Sequence, residues 1–507
     1  MFSPPAYQRT LLTLLEKRGY INQIAGDRNV LDNVLRKKKL SIYAGVDPTA
    51  PSLHLGHLLP LMVLFWASVY GHTAISLVGG GTAGVGDPAG RLTSRENTGV
   101  DVQRSNFEAM FDQTRRLWKT AMLYAQRHGY EEEGIGEHRV LDNAEWLGNL
   151  NVLDFLKMMG NGMRLGTMLG RDTVKNKMEK GDGMSFSEFT YPLLQGWDWW
   201  HMYREMNVQV QIGGSDQYGN IIAGMDAVKY IAQNHATFEG QRPPWLSHDG
   251  RITEESMPMG LTVPLLTTAS GEKFGKSAGN AVWLDRRMTS PFDLYGFLLK
   301  STDADVERYL KLFTFVPIDD IARLMEEHGL DPGKRKAQHH LALEVLTLVH
   351  GEDIANTARS EHQMMRNPSL LAPSRRDDTF RSSYGSHHAA TSQPEPPTAN
   401  KDSTRHIVLR RSEVLGKPLG SVLHAAGLAD SGSHGRRLVS SGAVYLASRA
   451  QGAQQELTFV QYKYPMHTVE AQMLVDGRLL VRTGKWKVRV IEVIGDDEFA
   501  TKEGGKR

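Results

Sequence analysis

A chain of 507 residues, 40% apolar and 23% charged, has the composition of a soluble protein with room for two or three cores. The absence of cysteine excludes disulfides, thiolate catalysis and cysteine-ligated zinc, and none of the 19 histidines stands in an H-E-x-x-H arrangement. The net charge of +2 excludes nothing, because a nucleic-acid binder needs a local basic surface rather than a basic total.

The opening Met1-Phe2-Ser3-Pro4-Pro5 lacks a long apolar signal core and is too short to read as an organelle presequence. Leu11, Leu14 and Leu15 recur at helical spacing and predict a helix over Arg9–Arg18; a second is expected over Asn29–Lys39. The second ends in the basic cluster Arg36-Lys37-Lys38-Lys39, read first as a solvated helix end and second as a nucleic-acid contact. A strand over Leu40–Val46, a loop, and a buried helix over His54–Tyr70 follow. The apolar run of that helix, Leu58–Val69, is too short to span a bilayer, and no membrane segment is expected.

Another apolar run, Thr73–Val78, leads into a glycine-rich stretch, Gly79–Gly86, and then Asp87. The order strand, loop, helix, strand, glycine loop predicts a Rossmann-like parallel α/β sheet with ligands beyond the carboxyl ends of its strands. Residues 99–205 read as mainly helical. A strand over Val208–Ile212 runs into Gly213-Gly214-Ser215-Asp216-Gln217, and a strand over Leu261–Leu266 precedes Lys273-Phe274-Gly275-Lys276-Ser277. From Pro291 to Arg366 the pattern is helical again. Asn367–Ser403, rich in Pro, Ser, Asp and Arg, reads as a flexible linker. The expected division is a helical extension (1–40), an α/β domain (41–285), a helical domain (286–366), the linker (367–404) and a small α+β domain (405–507).

Two short motifs carry chemistry. His54 and His57 at a helix start offer ring donors beside free backbone N–H groups, where the helix terminus favours anions, and Gly56 leaves room for a ligand near the backbone. Thr49, in the loop that begins at Gly45, offers a hydroxyl to a phosphate. Lys273 and Lys276, on a loop with glycines at 271 and 275, can close over the outer phosphates of a nucleotide. Either motif alone is an ordinary polar helix start or an exposed turn; the pair is harder to dismiss. The Gly79–Gly86 run lacks the terminal Lys-Ser/Thr of a Walker A loop.

Together the motifs resemble the H-I-G-H and K-M-S-K-S signatures of class I aminoacyl-tRNA synthetases. Six strings in family order, Tyr43–Thr49, His54–His57, Gly86–Gly90, Phe186–Asp198, Gln211–Asn220 and Lys273–Ser277, are similar to tyrosyl-tRNA synthetases of the bacterial and mitochondrial type. The resemblance covers residues 40–350, and the segment Arg405–Ile494 resembles the S4-like RNA-binding domain at the C-terminus of that family.

The resemblance implies tyrosine–tRNA ligase activity in two steps through tyrosyl-adenylate, with ATP and Mg2+ as the substrate complex and no tightly bound cofactor or protein metal site. It implies a catalytic set of His54, His57, Thr49, Lys273, Lys276 and Ser277, the last being Thr in many relatives. For ATP it adds Gly45, Gly56, Asp216, Arg91 and Arg95. Asp198 and the Tyr43 hydroxyl fall at the phenol OH of tyrosine; Tyr191, Gln195 and Asp87 fall around the α-amino group, with Asp47 and Gln217 also on the substrate. Tyr191, Gln195 and Asp198 share one helix face at i, i+4 and i+7. A buried pair built to hydrogen-bond a phenol is left unpaired by phenylalanine.

For RNA, Arg436 and Arg437 are expected to face phosphate from the second helix of the S4-like segment. Lys485 and Lys487, alternating with Arg489 on one side of a strand, are expected to do the same, the alternative being an edge strand guarded by charge. The resemblance further implies tRNA(Tyr) as partner, a homodimer, with Val152–Met159 either its interface or a core helix, and the mitochondrial matrix. Features resembling fungal mitochondrial members, the Arg36–Lys39 extension and an insertion at Tyr130–Glu137, raise the expectation of group I intron RNA binding and splicing. Two readings compete: a tryptophanyl-tRNA synthetase, the nearest sister family, and a pseudo-synthetase that kept an RNA surface without catalysis.

Overall fold

The computed structural model describes residues 10–89, 92–93, 99–235, 242–267, 276–277, 280–366, 406–449, 457–462, 464, 467–475, 477–483 and 487–497. The chain forms two compact units, Met1–Arg359 and Ser360–Arg507.

The first unit begins with α1 (Leu11–Arg18), β1 (Gln23–Ala25) and α2 (Arg28–Lys37). Thr10 caps α1 and Asp27 caps α2 through side-chain oxygens, and Gly19 ends α1 in the left-handed region at φ 84°. Then come β2 (Ser41–Val46), α3 (Leu55–Val69), β3 (Thr73–Val78), α4 (Val100–Arg127) and β4 (His138–Asp142). Four short helices follow, α5 (Ala144–Leu147), α6 (Val152–Met158), α7 (Leu165–Leu169) and α8 (Asp172–Lys180), and then α9 (Phe186–Met206), β5 (Val208–Gly214), α10 (Tyr218–Asn234) and β6 (Met259–Val263). A small ribbon, β7 (Lys276–Ser277) against β8 (Asn280–Ala281), precedes α11 (Pro291–Leu299), α12 (Asp303–Phe313), α13 (Ile318–Leu330), α14 (Lys336–His350) and α15 (Glu352–Arg366).

The main sheet has the order β1-β6-β5-β2-β3-β4. Its neighbours are parallel except for β1, which pairs antiparallel with β6. The chain moves outward from β2 through β3 to β4, then returns to the other side of β2 as β5 and β6. The reversal between β2 and β5 is a topological switch point, and the carboxyl ends of those two strands open a crevice there. One face is covered by α1–α4 and the helices after β8, the other by α9 and α10 with the short helices before them. Helix α3 is buried on all sides, as its unbroken apolar sequence requires.

Two expectations are refined. The stretch 99–205 is mainly helical, as expected, but it also holds His138–Asp142, the sheet's far edge strand, hidden from a pattern reading because its first residues, His138 and Arg139, are polar and exposed. Of the helical extension, residues 10–40 are built into the first unit. Leu11, Leu12, Leu15 and Leu31 lie in the main core, and β1 extends the sheet. Arg18, 2% exposed, donates to the carbonyls of Lys311 (3.1 Å), Thr314 (2.9 Å) and Val316 (2.6 Å) and lies 4.3 Å over the Trp66 ring. Beside it the Tyr20 hydroxyl donates to Leu312 O at 2.8 Å. These donors satisfy carbonyls of Lys311, Leu312 and Thr314 at the end of α12, together with that of Val316 in the turn beyond it.

The second unit holds β9 (His406–Arg410), α16 (Arg411–Val414), α17 (Leu419–Ala425), α18 (Gly432–Ser440), β10 (Val444–Arg449), β11 (Leu457–Tyr462), β12 (Arg478–Thr483) and β13 (Lys487–Ile494). Its sheet runs β11-β10-β12-β13-β9, parallel only between β13 and β9. Val414, Leu419, Val422, Leu423 and Val439 of the helices pack on Val444, Leu479, Val481 and Ile491 of the sheet. Helices α17 and α18 cross where a Cβ on Gly435 would stand 2.2 Å from Gly420 O, so that position admits only glycine.

Candidate active site

One end of the crevice is built from β2, α9 and the turn after β4. Tyr43, 1% exposed on β2, packs edge-on against Trp199, and its hydroxyl is buried without a hydrogen-bond partner. Asp198, 3% exposed on α9, accepts from Trp146 Nε1 at 2.7 Å and Asn143 Nδ2 at 3.0 Å. Two donors leave the carboxylate able to accept more. Burial pushes its pKa up to about 7 in spite of those two hydrogen bonds. Burial, with the Asp198 charge adding to it, holds the Tyr43 phenol well above its usual value and so protonated. Gln211, opposite Tyr43 in the β2–β5 register, also presents a buried unpartnered oxygen, Oε1.

A second carboxylate, Asp47, accepts from the Tyr191 hydroxyl at 2.7 Å and from Thr82 Oγ1 at 2.8 Å; Thr82 in turn accepts from Asn143 Nδ2 at 3.1 Å. A third, Asp87, accepts from Gln217 Nε2 at 2.7 Å, Asn220 Nδ2 at 3.2 Å and the Ala89 N–H at 2.9 Å. Asn220 also donates to Gln195 Oε1 at 3.1 Å, and Gln195 Nε2 to Gln217 Oε1 at 3.4 Å. At the switch point one hydrogen-bonded network joins Asp198, Asp47 and Tyr191 through Asn143 and Thr82, with Tyr43 near Asp198 but outside it; a second joins Asp87, Gln195 and Gln217 through Asn220. Asp216 sits beside it, in the single turn that follows β5.

The glycine run serves the first of these networks. A Cβ on Gly79 would lie 2.3 Å from Asp47 Oδ1, and one on Gly80 2.3 Å from Asp142 Oδ1. These glycines make room for neighbouring carboxylates rather than for phosphate.

On the other side of β2, His54 caps α3. Its Nδ1 accepts from the Gly56 N–H at 3.0 Å, while His57 Nδ1 accepts from the His54 N–H at 3.1 Å. Each Nδ1 is thus an acceptor, which puts the proton of a neutral ring on Nε2. The rings stack at 3.7 Å between centroids. Burial, with His54 adding to it, pushes the His57 pKa down to about 3, so the ring is a neutral donor at physiological pH. Gly56 has a nearer reason than space for a ligand: a Cβ there would stand 2.9 Å from His54 Cε1. Gly45 is exposed near the end of β2, and Thr49 is exposed on the loop between β2 and α3.

The lysine loop returns to this place. After the β7–β8 ribbon, Leu55 donates to Val282 O at 2.9 Å, Leu284 donates to Leu53 O at 2.8 Å, and His54 bridges to Trp283. The exit of the loop is thereby fastened to the residues that flank His54. Lys276 and Ser277 are described in their backbone only, and Lys273, Arg91 and Arg95 lie outside the described residues. Among the described residues no group of three His, Asp or Glu side chains could hold a metal.

Sequence reasoning missed Thr82, Asn143, Trp146, Gln211 and Asn220. Gln211 and Asn220 sit at the two ends of a string already singled out, and Asn143 and Trp146 begin the turn after the unrecognised strand β4.

Residues 35–366 match the family of class I tRNA synthetases for tryptophan and tyrosine, and residues 397–506 match the tyrosyl-tRNA synthetase C-terminal domain. The chain is 41% identical over 502 residues to a mitochondrial tyrosine–tRNA ligase of Podospora anserina, covering 97% of this chain and 75% of that one. The chain belongs to the class I tyrosyl-tRNA synthetases of mitochondrial type. A tyrosine–tRNA ligase of Staphylococcus carnosus is 33% identical over 95% of this chain and 99% of its own. The crystal structure of a C-terminally truncated mitochondrial tyrosyl-tRNA synthetase of Aspergillus nidulans superposes with a TM-score of 0.65 at 45% identity, over 70% of this chain and 94% of that one. This tyrosyl-tRNA synthetase is a tyrosine–tRNA ligase whose class uses ATP as substrate, generally with Mg2+. Among the described residues no helix is long and apolar enough to cross a membrane.

In the second unit of the synthetase, Arg436 and Arg437 are exposed on α18. Strand β13 lies between β12 and β9, so the reading of it as a charge-guarded edge strand is wrong. Arg489 faces Val481 across the β12–β13 pairing and shares its helix-packed face, with Nε buried. Lys487 is described in its backbone only, and Lys485 lies outside the described residues.

Proposed function

We propose that tyrosine is activated with its phenol between Tyr43 and Asp198 and its α-amino group among Asp87, Tyr191, Gln195 and Gln217, beside Asp47. The observation that carries this reading is the buried, unpartnered Tyr43 hydroxyl facing a carboxylate that already holds two donors but can accept another. A phenol OH satisfies both. Tryptophan offers an N–H but no acceptor for Tyr43, and phenylalanine offers neither.

ATP, entering with Mg2+, then lies over the start of α3. Neutral His54 and His57 donate from Nε2 to the phosphoryl oxygens as charge develops, the helix terminus adds its dipole, and Thr49, Gly45 and Asp216 border the nucleotide. Lys273, Lys276 and Ser277, with Arg91 and Arg95, complete the set on the pyrophosphate. Attack of the tyrosine carboxylate on the α-phosphate breaks its bond to the β-phosphate, expels pyrophosphate and gives tyrosyl-adenylate; a hydroxyl of the terminal ribose of tRNA(Tyr) then takes the acyl group, releasing AMP. Pyrophosphate exchange with tyrosine, tryptophan and phenylalanine tests the first step: exchange supported equally by tryptophan or phenylalanine, or by none of the three, overturns the assignment.

Arg436, Arg437, Lys485 and Lys487 are proposed to hold RNA. Deleting residues 405–507 should spare exchange and remove most tRNA charging; undiminished charging would refute the role. A homodimer is supported by the apolar side chains exposed on α6, Val152 and Leu153, and at the start of α9, Phe186. Sedimentation would test it, and the mitochondrial matrix is tested by fractionation.

Group I intron binding rests on the extension and the insertion. The structure engages Arg36 with Asp32, Lys37 with Glu255 and Lys39 with Tyr70 O, which reduces the free charge of that cluster. The absence of saturable, salt-dependent filter binding would remove the idea.

A further inference from the structure

Lysine is almost never fully buried unless it is paired. Lys177 on α8 has no exposed side-chain surface, and its ammonium meets the Glu188 carboxylate, itself 9% exposed, in the first turn of α9. Glu188 has a second task. Its Oε2 accepts from the Ser185 N–H at 3.0 Å while Ser185 Oγ accepts from the Glu188 N–H at 3.2 Å, a reciprocal cap on α9.

This turn needs outside support. Pro192 lies inside α9, and it has no N–H to give the carbonyl four residues back, which is that of Glu188. The backbone ladder is therefore interrupted between the capped turn and the rest of the helix. Tyr191, whose hydroxyl holds Asp47, stands on the near side of that interruption; Gln195 and Asp198 stand beyond it. The far part is fixed by Trp146, Asn143 and Asn220. Within the near turn, the link from Glu188 to α8 is the charged one.

We infer that the buried Lys177–Glu188 pair is a positioning device that sets Tyr191, and through it the Asp47 side of the pocket, for the α-amino group of tyrosine. The inference rests on the placement of tyrosine proposed above. Neither residue touches the substrate; both act through the first turn of α9.

The test is pyrophosphate exchange by the full chain, with tyrosine and ATP varied separately, for Lys177→Met, Glu188→Gln and Lys177→Arg. The expected result for Lys177→Met and Glu188→Gln is a rise of about tenfold in KM for tyrosine, with KM for ATP within about twofold of wild type. Lys177→Arg, which keeps the charge, should restore most of the loss. The competitor 3-(4-hydroxyphenyl)propionate, which has the phenol but no amino group, should inhibit wild type and variants equally. Glu188→Gln keeps the oxygen that caps Ser185 and so reports on the pair if Lys177→Met fails to fold.

The inference is overturned if KM for tyrosine is unchanged in folded variants. It is overturned equally if KM for ATP and inhibition by the deaminated competitor change in parallel, which signals general loosening, or if the defect vanishes at high protein concentration, which signals subunit dissociation. A wild-type chain that exchanges only with another amino acid would instead sink the functional reading on which the inference stands.

Discussion

The two halves of the crevice are made differently. On the amino-acid side three carboxylates, Asp47, Asp87 and Asp198, are each held by two or more donors from other elements before any substrate arrives. On the nucleotide side the described groups are two stacked imidazoles that cap a helix and a loop whose exit is tied down by backbone hydrogen bonds. The first half is preorganised by side chains and suits discrimination. The second presents donors at a helix end beside a loop, and suits a charge that develops only during reaction.

Breaking the first half at its centre should cost most. Asp198→Ala removes the acceptor and strands the donors of Asn143 and Trp146, and should lower kcat/KM for tyrosine roughly a thousandfold in exchange kinetics. Breaking the second half should look different in kind. His57→Ala is expected to lower kcat about a hundredfold while leaving KM for tyrosine within about twofold, because its donor acts on developing charge. A matching rise in KM for tyrosine would mean that the halves are not separable.

A finer cut separates the support of Asp198 from Asp198 itself. Trp146→Phe keeps the ring and deletes one N–H, and should cost about tenfold in kcat/KM for tyrosine. The smallest effect is on stability. The Asp198 pKa is pushed up to about 7 in the folded chain, against about 3.9 for a free aspartate. Between those values the folded state binds the proton more tightly than the unfolded one. The contribution to stability is therefore full at the acid end and is lost as pH rises toward 7. Asp198→Asn should flatten the fall in Tm between about pH 4 and pH 7 relative to wild type, measured without substrate.

The same contrast decides what could be read from sequence. Tyr191, Gln195 and Asp198 were legible because one helix repeats on one face, and the parallel sheet because β2 and β3 are apolar runs and β3 and β5 lead into glycines. Trp146 and Asn143 were not legible, because they act through a strand whose first residues are polar and exposed. Thr82 was hidden inside a glycine run that draws attention to phosphate, whereas Gly79 and Gly80 are excluded from carrying side chains by Asp47 and Asp142. Nor does periodicity show that Arg18 is a core residue: a basic side chain at a helix end looks solvated until the carbonyls it serves are seen, and those lie at residues 311, 314 and 316.

That last contact fixes an order of events during synthesis. Arg18 leaves the ribosome early, yet its partners at Thr314 and Val316 are added only when nearly all of the first unit has been translated. At about 5–20 residues per second the guanidinium waits roughly 15–60 s for them. Throughout that interval Leu11, Leu12 and Leu15 of the same helix lack the helical part of the core they finally enter. Helix α1, made before the partners that hold it, is thus among the last of the described elements to be locked, and the nascent chain carries its apolar face until translation has passed the end of α12.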